Sequence, residues 1–331
     1  MTEKNTGYNF VRVDPSVPEI GSGIDPNHFV RKIDTGKGTV TFSYNPDDVI
    51  ANTVGHLGGL FTHVTLGIPE TSFKKPTIEL VNELAERWKD VPWKGDVLVR
   101  VGYANLFEDI RRSLASSKEL RNSWPRLLRI VGLPATIYTS LKSELARENH
   151  YNPRTKTATI YNPNLAIGMH EIGHAKFEDE QDPWVQAATG FLHKIIPGFT
   201  LYPEWQASKR AMEHFASDTE RRKAMKVLEP AFSTYATGIP LMYFGSDYIK
   251  RSLGNLLGIG NNSDPIRRRA LTELANYTMN ALSPIPGHIL SRLPGRKSSF
   301  GYIFEGKTNE QRESIPVRYG AGKADTMAKE V

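Results

Sequence analysis

His170-Glu171-Ile172-Gly173-His174 is the stretch that leaves this chain the least freedom. Extended, two histidines four apart would sit about 13 Å from one another. Wound into a helix they stand one above the other on a single face, and their rings reach a common point. Glu171, one residue on, projects about 100° around the same helix, so a carboxylate stands beside whatever the imidazoles hold. A helix built this way can grip a divalent cation through two neutral ring nitrogens. It then needs a third protein ligand and an open position.

The flanks suit that geometry. Asn152-Pro153 marks a turn, and Thr155 to Tyr161 is rich in β-branched and aromatic residues, which predicts a short strand. Asn162-Pro163-Asn164 closes the strand and offers Asn164 as the N-cap of the next helix. On a helical wheel Leu165, Met169 and Ile172 share one face, while His170 and His174 lie near the opposite pole. Gly168, Gly173 and Ala175 are small enough to let other backbone come close. The pattern predicts a helix gripped on two sides, with its histidines in a cleft.

Glu204 is the strongest candidate for the third ligand. Pro203 sits where helices begin, and Glu204, Ser208, Ala211 and Phe215 recur on one helical face. Ser208, one turn beyond Glu204, is placed to hydrogen-bond a ligand from outside the coordination shell. His193, His214, Glu178 and Asp218 are alternatives for the ligand position. Tyr161 and Tyr202 are the nearest tyrosines that could donate to a developing oxyanion, and His150, just before the strand, is another candidate donor. His56 and His63, seven apart with no carboxylate pattern beside them, read as histidines at the edge of a core.

Three elements together, His170-Glu-Ile-Gly-His-Ala175, Pro203-Glu-x-x-Ala-Ser-x-x-Ala211 and Ala231-Phe-Ser-Thr-Tyr-Ala236, carry a family resemblance. Over residues 150–240 the chain resembles the neutral zinc metallopeptidases of the YugP-like family and, more distantly, the gluzincins. The resemblance implies a zincin-like metallopeptidase domain in which His170, His174 and Glu204 bind zinc. Glu171 would then be the general base that activates a water held at the metal for attack on a peptide or protein substrate. The alternative expectation is a structural or assembly subunit on the same scaffold, which keeps its zinc and has little or no turnover.

Composition narrows the rest. The chain has no cysteine, which excludes disulfides, thiolate zinc sites and cysteine nucleophiles. Its first residues form no apolar signal core, and no run of eighteen apolar residues occurs, so an intracellular protein, at most peripheral to a membrane, is expected. The uncharged stretch from Pro230 to Ser246 is diluted by Ser233, Thr234, Thr237 and Gly238 and reads as a core helix or a membrane-surface segment. Residues 1–249 carry 29 basic and 29 acidic side chains, and 250–331 carry 13 and 7, so the whole net charge of +6 lies in the last quarter. That segment suits a partner protein or an anionic surface. Arg267-Arg268-Arg269 lacks the aromatic interleaving of a nucleic-acid module, so nucleic acid is not expected.

The fold class expected is mainly α, in the α+β sense, with a small edge sheet. Turn-rich residues 1–45 read as an extended N-terminal arm, 46–282 as the helical domain with its active-site half at 150–245, and 283–331 as a basic, Pro/Gly-rich C-terminal tail. Helices are predicted at 45–66, 76–89, 103–117, 119–132, 136–149, 164–178, 184–195, 204–226, 228–244 and 266–282, with 155–161 as the one clear strand.

Overall fold

Strand-forming residues bring the first surprise. In the computed structural model, described here for residues 11–12, 29–46, 74–195, 199–259, 264–268 and 271–272, the sheet has six strands. The side chains at 11–12, 146, 193–195 and 233–249 are not described. All of these residues belong to the unit Met1–Arg296. The strands are β1 (Val11–Arg12), β2 (Phe29–Asp34), β3 (Thr39–Tyr44), β4 (Asp96–Val101), β5 (His150–Asn152) and β6 (Thr157–Ile160), in the order β1-β2-β3-β4-β6-β5. β3, β4 and β6 run parallel, and the outer strands pair antiparallel.

Residues 29–45, read from sequence as arm, are therefore two strands of this sheet. Val40 and Phe42 are fully buried in it. Their signal is present in the chain: Thr39-Val-Thr-Phe-Ser-Tyr44 is a β-branched and aromatic run. The preceding Asp34-Thr-Gly-Lys-Gly38 is a hairpin loop, in which Gly36 takes φ 82° and its N–H donates to Asp34 Oδ1. β4 was also unread, because Val97-Leu-Val-Arg-Val101 is buried on both faces and shows no alternation. The sheet is thus central to the unit rather than an edge feature, and the protein is α+β.

The helices are α1 (Ile78–Trp88), α2 (Leu106–Leu114), α3 (Arg126–Val131), α4 (Leu133–Ala146), α5 (Leu165–Asp179), α6 (Pro183–Ile195), α7 (Leu201–Glu213) and α8 (Asp218–Leu257). α1 follows the 76–89 expectation, with Thr77 as N-cap and Leu80, Val81, Leu84 and Trp88 buried. The division expected between 226 and 228 falls instead at 214–217. There Ser217 Oγ accepts from the Glu220 N–H and the Glu220 carboxylate accepts from the Ala216 N–H, which starts α8 afresh. Of the helix predicted at 45–66 only Asn45 and Pro46 are described, and neither is helical; His56, His63 and the segment 283–331 lie outside the described residues. Of the helix predicted at 266–282, residues 266–268 and 271–272 are described, and they are helical. No helix among the described residues is long and apolar enough to cross a membrane.

The two faces of the sheet differ in chemistry. Ile160 lies toward α5, beside Gly168, where an added Cβ would be 3.6 Å from its Cδ1. On the other face Ser43, Arg100, Thr159 and His150 form a row across β3, β4, β6 and β5. The fully buried Arg100 donates to Asp109 of α2 at 2.8 Å, and Ser140 of α4 donates to the same carboxylate at 2.6 Å. His150 meets Ser143 of α4 at 2.9 Å, so it belongs to the polar face opposite α5 and does not line the cleft.

Candidate metal centre

α5 forms where the sequence predicts it. Asn164 caps it, its side chain accepting from the Ala166 N–H, and Met169 and Ile172 are fully buried beneath it. Two glycines set how closely it packs. Gly168 lies against Leu84 of α1, and Gly173 lies against the backbone of α7, where an added Cβ would be 2.2 Å from the Ala207 carbonyl oxygen. That approach carries α7 across α5 with Glu204 facing the two histidines.

The three candidate ligand atoms converge. His170 Nε2 lies 3.0 Å from Glu204 Oε2, His174 Nε2 lies 3.3 Å from the same oxygen, and the two Nε2 atoms are 3.2 Å apart. Donors held 2.0–2.1 Å from a tetrahedral zinc would be separated by about 3.3–3.4 Å. The triangle observed is within a few tenths of an ångström of that, so the cluster could hold a metal ion. The side chains keep 11–16% exposure. Among the described residues this is the one His/Asp/Glu cluster able to hold a metal.

Surrounding groups reinforce the arrangement. Ser208 Oγ sits 3.1 Å from His170 Nδ1. Were a cation held at the triangle, Nδ1 would carry the proton and donate to that hydroxyl, leaving the Nε2 lone pair for the ion. Burial acts to raise the Glu204 carboxyl. Attraction to His174, with hydrogen bonds from both histidines, overrides it and holds the group well below the usual carboxylate range. Glu204 therefore carries its negative charge at neutral pH. Glu171 is its opposite. Burial, with the neighbouring charges of Glu204 and Glu148 and against the attraction of His170, pushes its carboxyl up to about 8. Two carboxylates of one site are driven in opposite directions, one toward permanent charge and one toward proton exchange near neutrality.

The other sequence candidates fall elsewhere. Tyr161 is buried beside Ala104 with the Arg147 guanidinium 5.9 Å above its ring, and Tyr202 is half-exposed and packs edge-on against Phe177. His214 stacks on Trp88 at 4.1 Å, its pKa pushed down to about 4 by burial and by Lys176, Arg210 and Arg87. Glu178 lies at the far end of α5 and Asp218 is paired with Arg221 on the surface. The side chain of His193 lies outside the described residues.

The sequence reading did not single out Asp179 or Glu148. Asp179 fixes the end of α5 by accepting from the N–H groups of Lys94 and Gly95 at 2.7 and 2.9 Å and from Lys156 Nζ at 2.9 Å. No local pattern marks it, because its partners come from three other segments.

A test of the helix contact follows directly. Gly173→Ala is expected to force α5 and α7 apart, because the contacted atom is backbone and has nowhere to go. The cost should be about 1–3 kcal/mol by overpacking. Divalent-metal affinity should fall with it, since Glu204 rides on the displaced helix. Unchanged stability in urea denaturation together with unchanged metal affinity would mean that the close approach does not position Glu204.

Comparison of the chain with protein-family models, with curated proteins and with solved structures returned no match.

Proposed function

We propose that this protein is a zinc-dependent metallopeptidase on a zincin-like scaffold. The observation that carries the reading is the convergence of His170, His174 and Glu204 to mutual distances of 3.0–3.3 Å, with Glu171 next to the first ligand in the chain. A zinc ion held by these three residues supplies a Lewis acid that acidifies water and polarises a carbonyl.

The chain's own residues do the rest. Glu171 accepts the proton of the attacking water and delivers it to the leaving amine, a two-way transfer that needs a carboxyl with an affinity for protons near neutral pH. Its burial provides that affinity. Glu204 stays ionised and neutralises part of the cation's charge. Ser208 orients the His170 ring.

Purified protein reconstituted with zinc is expected to retain about one ion per chain and to cleave an unfolded protein, with cleavage lost to a chelator and restored by zinc. His170→Ala should lose both ion and cleavage. Failure of the wild type to retain any zinc would end the proposal. Full zinc occupancy with no cleavage of any unfolded substrate would transfer the reading to a non-hydrolytic assembly subunit on the same scaffold.

A further inference from the structure

A buried guanidinium needs acceptors, and two of the arginines in this protein have them. Arg100 pairs with Asp109 and Glu108, and Arg129 donates to the carbonyls of Trp124, Arg112 and Ala115. Arg154, in the loop between β5 and β6, has no such provision, although it is only 9% exposed. Among the described residues it forms no ion pair, and its Nε is buried without a hydrogen-bond partner. Burial pulls its pKa down, opposed by the charge of Glu178. That charge is itself largely absent at neutral pH, because burial pushes the Glu178 carboxyl up to about 8.

The side chain is held against the start of a helix. The Arg154 N–H donates to Asn152 Oδ1 at 3.1 Å, which fixes the loop. Its stem runs along Gly132, where an added Cβ would lie 2.4 Å from Nε and 2.7 Å from Cδ. Gly132 takes φ −80° and ψ 1°, so the room occupied by Arg154, and not the backbone conformation, calls for glycine there. Gly132 is also the N-cap of α4, and no side chain caps that helix. Pro134 has no N–H, and the N–H groups of Leu133 and Ala135 must find acceptors outside the ladder of α4. Gly132 ends α3 as well, but the Leu128 carbonyl there is taken by the Gly132 N–H. Trp124 adds one more donor. Its ring lies 5.2 Å from the Arg154 guanidinium, and its indole N–H is buried with no acceptor.

We propose that Arg154, Trp124 and the first turn of α4 form a binding site for a phosphate group, free or carried by a small molecule. The three have donors in common and lack acceptors. A guanidinium beside the positive end of a helix dipole is unfavourable alone, and an anion that touches both makes each contact attractive. A tetrahedral oxyanion presents several oxygens to the arginine fork and to backbone N–H groups together, which a carboxylate with two oxygens does less well. The site uses none of the metal-centre residues, so it stands whether or not the chain is a peptidase.

Calorimetric titration of the full chain with inorganic phosphate, in chelator so that no metal competes, tests this. One phosphate should bind per chain with a Kd of about 1 mM or tighter. Arg154→Gln should weaken binding about tenfold or more. Gly132→Ala should weaken it too, by pushing the guanidinium off the start of α4. Thermal unfolding supplies a readout that a merely structural arginine would not give. Without phosphate, Arg154→Gln should be at least as stable as the wild type, since it removes a buried cation with no partner. With phosphate, only the wild type should gain in Tm. Glycerol 2-phosphate bound more tightly than inorganic phosphate would identify a phosphorylated small molecule as the ligand, and the reverse order the free ion. Absence of phosphate binding by the wild type would overturn the proposal. So would binding that survives Arg154→Gln, which would assign it to the basic 250–331 segment. A Gln variant less stable in phosphate-free buffer would reduce Arg154 to a structural role, and acetate bound as tightly as phosphate would overturn the choice of ligand.

Discussion

Glu171→Gln is expected to leave the zinc content of the protein unchanged and to lower hydrolysis of an unfolded substrate by about 10²–10⁴-fold, the range a positioned general base contributes. The amide has the shape of the carboxyl and touches none of the three ligand atoms' roles, so the triangle of His170, His174 and Glu204 stays intact. Folding should not suffer, because the substitution removes an ionisable group that burial already disfavours in its charged form. The pH profile carries the same information with a defined sign. A base works as its carboxylate, so cleavage should rise with pH as Glu171 loses its proton. Burial places that loss at about 8 in the ligand triangle alone, and attraction to a divalent cation there moves it lower. Cleavage should therefore fall away on the acid side, and the Gln variant should lack this limb. A Gln variant that hydrolyses at the wild-type rate would remove Glu171 as the base.

Asp179→Ala should be the most destabilising single substitution among the described buried charges, at about 3–5 kcal/mol in urea denaturation. The carboxylate and Lys156 are both fully buried, and its loss strands the ammonium with the Asn122 carbonyl as its remaining partner. It also orphans the N–H groups of Lys94 and Gly95 at the entry to β4. Burial pulls Lys156 toward its neutral form, whereas Asp179 is held below the usual carboxylate range. The donor set decides between them: against the rise from burial, Lys156 and the hydrogen bonds of Lys94 and Asn122 hold Asp179 as an anion, and the pair is charged. A depressed carboxyl stabilises the fold fully above its unfolded pKa of about 3.9 and loses that contribution as pH falls through the lower folded value. Wild-type stability should thus drop in acid more steeply than that of the Ala variant. Adding Lys156→Met to the variant should recover part of the loss, since no buried charge then remains. A cost below about 1 kcal/mol would show that the network does not hold α5 to the sheet.

Part of the site was legible in one dimension. The four-residue spacing of the histidines implies a helix, Asn164 marks its start, and the placement of Glu204 and Ser208 one turn apart after Pro203 puts both on one face of a second helix. Ser208 meets His170 as that periodicity suggests. His150 shows the limit of the approach: nearness in the chain selected it, yet one residue of register puts it on the polar face of the sheet, against Ser143.

The fold was read less completely. Helix α1 announces itself by the spacing of its apolar residues, and α5 by its cap and the spacing of its histidines. The sheet does not, because its central strand is buried on both faces and because β3 finds its partner, β4, more than fifty residues away in the chain. The helix division at 214–217 depends on Ser217 and Glu220 closing hydrogen bonds locally, and this outweighed the apolar pattern that runs through it.

By itself, then, the order of residues determined which groups can share a helical face and what chemistry those groups offer, since helix geometry depends only on spacing. Whether two such faces meet was decided in three dimensions. Gly173 admits the Ala207 carbonyl of α7, the Asp179 node ties the far end of α5 to the sheet, and Glu204 is carried to within 3.3 Å of both histidines as a result. Distance between elements is a property of packing, and no spacing along a chain encodes it.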